Sequence, residues 1–269
     1  MFHSSFFRRF LRLQAFSLLF FQINSFAQEK FEPTIVKVRA DMWCPYNCKP
    51  GSLNPGFMIE VLEEAFGKNN VNYELLPWTR AIIETRRGKA DAIVGAADTD
   101  APDFLQSYSF AKTSTCFYKS SKDPWVYTNT TSIQGKKLGF VGGYTYPDFV
   151  MAYISDAKNK SLVFSKFQED RALLSLLEMV ADGTIQIVVD DESVMNHILD
   201  KNPHLKLKVT NAGCANGPEG SFPVGVSFSP KTQSRSRILV KQLNLTIESM
   251  IKNGKMEELV KKYKIKKWW

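Results

Sequence analysis

The sequence predicts an α/β fold built as two similar lobes, and three observations carry that prediction. An apolar helical run, a glycine, three residues and a burst of β-formers occur twice. The first copy is Ala81-Ile82-Ile83-Glu84-Thr85-Arg86-Arg87-Gly88-Lys89-Ala90-Asp91-Ala92-Ile93-Val94, and the second is Leu176-Leu177-Glu178-Met179-Val180-Ala181-Asp182-Gly183-Thr184-Ile185-Gln186-Ile187-Val188-Val189. Each reads as a helix stopped by a glycine just past its end and followed directly by a buried parallel strand. Each half of the chain also alternates strands with helices, the order of a largely parallel sheet. No low-complexity tract or long linker separates the halves, so the lobes should be tightly joined, and a cleft between lobes is a place where small ligands bind.

The elements follow in order. Residues 35–40 form a first strand, and Asn54-Pro55-Gly56 opens a helix over 57–68 with Met58, Val61, Leu62, Ala65 and Phe66 on one face. A strand at 71–75, a helix from Thr79 and a strand at 90–95 complete a β-α-β-α-β series. Residues 98–112 are loop-rich, and Cys116-Phe117-Tyr118 begins a new extended stretch. The second series has a strand at 136–141 ending in Gly142-Gly143, a helix at 146–157, a strand at 162–164, a helix at 170–181, a strand at 185–189, a helix at 192–199 and a last strand at 205–209. A loop over 211–221 leads to a strand at 223–228, and helices at 232–252 and 255–263 close the chain.

The N-terminal segment reads as an address. Arg8, Arg9 and Arg12 precede an apolar run over 13–23, and Ser25-Phe26-Ala27 places small residues at a cleavage site. Gln14, Ser17 and Gln22 interrupt the run, which falls short of the ~20 apolar residues that span a bilayer. A cleaved signal peptide over 1–27 and a periplasmic location are therefore expected. No cysteine lies at the cleavage point, which argues against a lipid anchor. Removing the three arginines lowers the formal net charge from +8 to +5. The lysines at 261, 262, 264, 266 and 267 read as a solvated last helical turn and a frayed tail, and no nucleic-acid motif accompanies them.

All four cysteines lie in the exported part, where disulfides are the default, and four cysteines allow three pairings. Cys44 and Cys48 flank Pro45-Tyr46-Asn47, whose turn chemistry favours a bridge between them and leaves Cys116 with Cys214. A glutaredoxin-type redox motif is the alternative for Cys44 and Cys48, but it needs two residues between the sulfurs and here there are three.

The order Gly56-Phe57 and helix, Pro77-Trp78-Thr79-Arg80, Gly88-x-x-Asp91-Ala92, Tyr108-Ser109-Phe110, Gly135-Lys136-Lys137-Leu138-Gly139, Gly183 and Val224-Gly225-Val226-Ser227-Phe228-Ser229 resembles family 3 periplasmic solute-binding proteins, the amino-acid-type receptors of ABC transporters. The resemblance covers essentially all of the mature chain. It implies a type II periplasmic-binding-protein fold with mixed, mostly parallel sheets flanked by helices and two crossover hinge segments. Residues 28–117 with 222–269 would form the first lobe and 118–221 the second, with the crossings near 113–118 and 223–227. The implied partners are a small polar or amino-acid-like ligand and the membrane permease of an ABC transporter. A monomer with no cofactor, metal or nucleic acid is expected.

The resemblance also implies a site. Trp43 and Tyr46 follow the first strand, where the family sets an aromatic against the ligand, and Trp78 offers a second wall. The family's Ser-x-Thr-x-x-Arg aligns with Ala97-Asp98-Thr99-Asp100-Ala101-Pro102: Thr99 is kept, while the carboxylate-binding arginine is replaced by Pro102. That replacement weighs against an ordinary α-amino acid. Arg80 is the substitute on offer, and it fits a surface ion pair equally well. Tyr144 and Thr145 sit in a strand-to-helix turn that suits an anionic group or plain capping, and Asp191 matches the acid that receives the ligand's ammonium or else caps a helix.

Two other functions compete. Dehydratases and peptidoglycan lyases share the scaffold but need a placed acid or base. His197 and His204 read as lying away from the cleft, and Asp190 and Asp191 as facing opposite sides of a strand. An extracytoplasmic sensor would report through a separate membrane protein.

Overall fold

A computed structural model describes residues 35–167 and 171–269, all within one compact unit, Pro33–Trp269. The expected signal peptide, 1–27, lies outside the described residues. The described chain forms two sheets of the same plan. In the first half, β1 (Val36–Ala40), α1 (Phe57–Phe66), β2 (Val71–Leu75), α2 (Trp78–Arg86) and β3 (Ala92–Ala96) give the parallel order β2-β1-β3. After the short strands β4 (Leu105–Gln106) and β5 (Ala111–Lys112), the chain passes to the second sheet at β6 (Thr115–Ser120), ahead of the boundary expected after 117. There β7 (Leu138–Gly142), α3 (Asp148–Ser155), β8 (Val163–Phe167), α4 (Ala172–Ala181) and β9 (Ile187–Asp191) repeat the plan as β8-β7-β9. An antiparallel strand flanks each parallel set: β6 beside β9, and β11 (Pro223–Phe228) beside β3. Both sheets are therefore mixed, as expected.

Local sequence explains the helices and their stops. α1 buries Phe57, Met58, Val61, Leu62, Ala65 and Phe66, the face its spacing marks out. It packs on α7 (Gln233–Lys252), whose Leu239, Leu243, Ile247 and Met250 recur at helical spacing and are buried. Each such side chain contributes roughly 1.5–3 kcal/mol of apolar burial. Gly88 and Gly183, just past the ends of α2 and α4, adopt φ of 78° and 82°, a left-handed conformation that other residues resist.

Two stretches differ from expectation. The strand foreseen at 205–209 is a helical turn, α6 (Pro203–Lys206), that follows α5 (Glu192–Lys201); the strand comes later, as β10 (Val209–Cys214), within the expected loop. Pro203 starts the turn at a helix-compatible position, and Leu205 packs into the core. Asn211 and Gly213 carry little strand propensity, so β10 owes its form to pairing with β6. That pairing sets Cys214 opposite Cys116, and both disulfides, Cys44–Cys48 and Cys116–Cys214, are formed. The tail after α8 (Lys255–Tyr263) is docked: Ile265 is buried, and Trp268 meets Phe57 edge-on at 5.9 Å. Its lysines remain exposed, so the basic cluster is solvated while the apolar residues between them hold the backbone down.

Candidate functional site

The site is built where strands end. Asp41 follows β1, Gly95 and Asp100 lie at and beyond the end of β3, Tyr144 to Tyr146 follow β7, and Asp190 and Asp191 end β9. Equivalent strands of two sheets of one plan thus aim their C-terminal ends at a common cavity, the usual binding position in open α/β sheets. The cavity, about 60 Å³, also borders Trp43, Trp78 and the two passages between the sheets, at Thr113 and Phe222. It has room for a few waters or a small ligand group. The passages are fastened together: Thr113 N donates to Phe222 O (3.0 Å) and Phe222 N donates to Thr113 Oγ1 (3.0 Å).

Side chains from the two sheets meet across the cavity. Trp43 Nε1 donates to Asp190 Oδ1 at 3.3 Å, the Tyr144 hydroxyl donates to Asp41, and Tyr46 OH donates to Ser193 Oγ at 3.4 Å. Tyr46 stacks behind Trp43 with ring centroids 4.5 Å apart. Tyr146 OH accepts from Val141 N (3.0 Å) and donates to Asp190 Oδ2 (3.4 Å). The aromatics are therefore held by hydrogen bonds as well as packing.

The electrostatics are one-sided. Four carboxylates line the cavity, and among the described residues no lysine or arginine does. Burial pushes Asp190 up to about 7 and Asp41 to about 6, and raises Asp100, against the opposing hydrogen bonds from Trp43 and Asp191 N, from Tyr144, and from Thr145 and Ala97 N. Burial likewise lifts Asp191 to about 6, although it accepts three backbone N–H groups: Ser114 (2.7 Å), Ser193 (2.9 Å) and Val194 (3.2 Å). Burial also raises Tyr46, Tyr144 and Tyr146.

A family model, bacterial extracellular solute-binding proteins, family 3, matches residues 36–266. The chain belongs to this family. Solved structures share the periplasmic-binding-protein fold. A protein of glutathione import with the cystine importer of Streptococcus mutans aligns at TM-score 0.68 with 18% identity, covering 86% of this chain and 94% of that one. A Streptococcus pneumoniae ABC uptake transporter substrate-binding protein with bound histidine gives 0.66 and 19%, covering 85% and 91%. A histidine kinase sensor domain similar to periplasmic binding proteins gives 0.65 and 14%, covering 85% and 95%. Comparison with curated proteins finds no match. The family is one of solute-binding proteins rather than enzymes.

Within the family 3 fold, Trp43, Trp78, Tyr144, Thr145 and Asp191 line the cavity, and Tyr46 lies behind Trp43. Two candidates fall outside. Arg80 is exposed on the first turn of α2, where its Nε meets Glu84 at 3.0 Å, one turn along the same helix. Thr99 is exposed and does not line the cavity, whereas its neighbour Asp100 does. Asp190 and Asp191 both line the cavity: Asp191 is the last residue of β9 and also caps α5, so strand alternation ends there. His197 lines a neighbouring groove of about 290 Å³ that shares Asp41, Trp43 and Tyr144 with the cavity, closer than expected; burial lowers its pKa and so disfavours its charged form. Sequence reasoning missed Asp41, Asp100 and Tyr146. The available signal for Asp41 is an acid set immediately after a buried strand.

Proposed function

We propose that this chain is a periplasmic receptor that captures a small polar ligand between two lobes, built on its two sheets, and delivers it to the permease of an ABC importer. The convergence of the equivalent strand ends of both sheets on one cavity beside the two passages carries the reading. Trp43, Trp78, Tyr144, Thr145 and Asp190 contact the ligand, Tyr46 braces Trp43, and Asp191 holds the first passage, at Ser114, to α5. Binding draws the lobes together about Thr113 and Phe222, since both half-sites touch the ligand only in the closed form. The likeness to a sensor domain supports a second reading, in which the same closure is reported to a membrane partner.

Native mass spectrometry of protein isolated without denaturation tests the receptor role. A co-purified small molecule whose mass is unchanged on incubation is expected, and steady turnover of that molecule would reveal an enzyme. Small-angle scattering should show a smaller radius of gyration with that molecule bound. Co-isolation from membranes with a permease rather than a kinase separates transport from sensing.

A further inference from the structure

We infer that the ligand of this receptor is a small organic cation that carries no carboxylate. The inference rests on the receptor reading and names its substrate class.

The cavity presents Asp41, Asp100, Asp190 and Asp191 to whatever enters it. Asp191 is committed to three backbone donors, but Asp190 meets only one backbone N–H, from Asp191 at 2.8 Å, and long contacts of 3.3 and 3.4 Å from Trp43 and Tyr146. A fully buried carboxylate with such weak neutral donors is short of positive charge, which a ligand ammonium or guanidinium would supply. The aromatic walls, Trp43, Trp78 and Tyr144, offer π-faces of the kind that receive cations.

The wall behind the cavity is polar as well. Asn47 is completely buried; its Nδ2 donates to Asp41 O at 2.7 Å, but its Oδ1 has no hydrogen-bond partner. That oxygen faces Gly95, a residue of the cavity wall, and a Cβ built there would sit 3.2 Å from it and 3.5 Å from the Trp43 ring. The acceptor itself is sealed from solvent, behind the cavity wall. The weakly satisfied Asp190 favours a donor-rich ligand group, and the acids that line the cavity repel an anion.

Among the described residues no lysine or arginine lines the cavity to pair with a carboxylate. His197, whose charged form burial disfavours, and the exposed Lys201 line the neighbouring groove and not the cavity. The elevated carboxyl pKa values agree with a site that waits for a counter-charge, since a bound cation favours the ionised acids and expels their protons.

Matched pairs test this by calorimetry at pH 7.5. (4-Aminobutyl)guanidine is arginine without its carboxylate, and 1,5-diaminopentane is lysine without its own. At least one carboxylate-free cation should bind tenfold or more tighter than its amino-acid partner, and Asp190→Asn and Asp100→Asn, shown folded by their melting curves, should each weaken that binding tenfold or more. If the amino acid binds as well or better, the inference is wrong while the receptor reading stands. Unchanged affinity in both Asn variants also overturns it. If none of the four compounds binds, the inference again fails, and the co-purified molecule then decides the receptor reading separately.

Discussion

The two halves of the molecule solve one local problem with different side chains. Just before β3, Asp91 N donates to Lys37 O (2.8 Å), and Lys37 N donates back to Asp91 Oδ2 (2.8 Å). Just before β9, Gln186 N donates to Lys137 O (3.0 Å), and Lys137 N donates back to Gln186 Oε1 (2.9 Å). Both residues stand three positions after the glycine that ends the preceding helix. The frame asks for an acceptor at this point to clasp the start of the first parallel strand, and it does not ask for charge. Charge appears only in the first half, where Arg235 on α7 reaches Asp91 through Nε (2.6 Å) and Nη2 (3.2 Å) and also donates to Ile35 O. The same position is therefore a clasp in one half and a clasp plus an anchor for the C-terminal helix in the other.

The strongest lever on this comparison is pH, because each half brings two acids to the cavity. A carboxyl lifted by burial holds its proton more tightly in the folded state, so its contribution to stability is complete below the ordinary value near 3.8 and is lost as pH rises through the folded value, about 7 for Asp190 and about 6 for Asp41. The groups facing Asp190 are Asp41, Asp191, Tyr144 and Tyr146, and none supplies positive charge. Each tenfold gain in proton affinity on folding is worth about 1.4 kcal/mol, so the ligand-free protein should lose stability between pH 4 and 7, opposed by its surface ion pairs, by Asp182 and by His197, whose pKa values folding lowers. Urea unfolding across that range is the measurement. Stability that instead rises steadily with pH would mean the acids are solvated and the cavity open. Asp190→Asn should flatten the profile.

Next in size is the clasp itself. Asp91→Ala removes an acceptor and leaves the half-buried Arg235 guanidinium unpaired, a loss of about 3 kcal/mol, whereas Gln186→Ala, at an exposed position, should cost about 1 kcal/mol or less. Asp91→Gln keeps the acceptor and drops the ion pair, so it should fall between them. Chemical denaturation of the three variants ranks them. Equal losses for Asp91→Ala and Asp91→Gln would show that the ion pair, and not the clasp, sets the energy of the first half.

Smallest is the difference between the two glycines. Gly88→Ala and Gly183→Ala should each lose about 1–2 kcal/mol to the left-handed backbone. Gly88→Ala should lose slightly more, because its Cβ would lie 3.1 Å from Lys231 Cγ, while nothing lies within 4 Å at Gly183. A large gap between them would mean that Lys231 cannot move aside.

Much of this frame is legible in the sequence because it is local. The helix, glycine and strand follow one another directly, and the apolar spacing of α1 and α7 names their buried faces. The Cys44–Cys48 bridge is local too, spanning a short turn. What escapes sequence reading is set by partners distant in the chain. β10 is a strand because β6 lies beside it, and the tail is ordered because Phe57 waits for Trp268. At the site, an exposed arginine and a buried aspartate look alike as letters. Arg80 has Glu84 one turn away to draw it outward, whereas Asp41 and Asp100 become cavity residues only through where β1 and β3 stop.

The strand order also bears on the sequence of events by which the chain folds. The second sheet is drawn from one continuous stretch, residues 115–214, while the first is completed only when β11 returns to β3. Pairing Gly225 with Ala96 closes a loop of about 130 residues, an entropic cost that falls once the intervening segment has already compacted. The protein should therefore build its second sheet first and seal the first sheet last. Pulse-labelling hydrogen exchange during refolding would then protect amides of β6, β7 and β9 before those of β11, and simultaneous protection would show that the two sheets form as one.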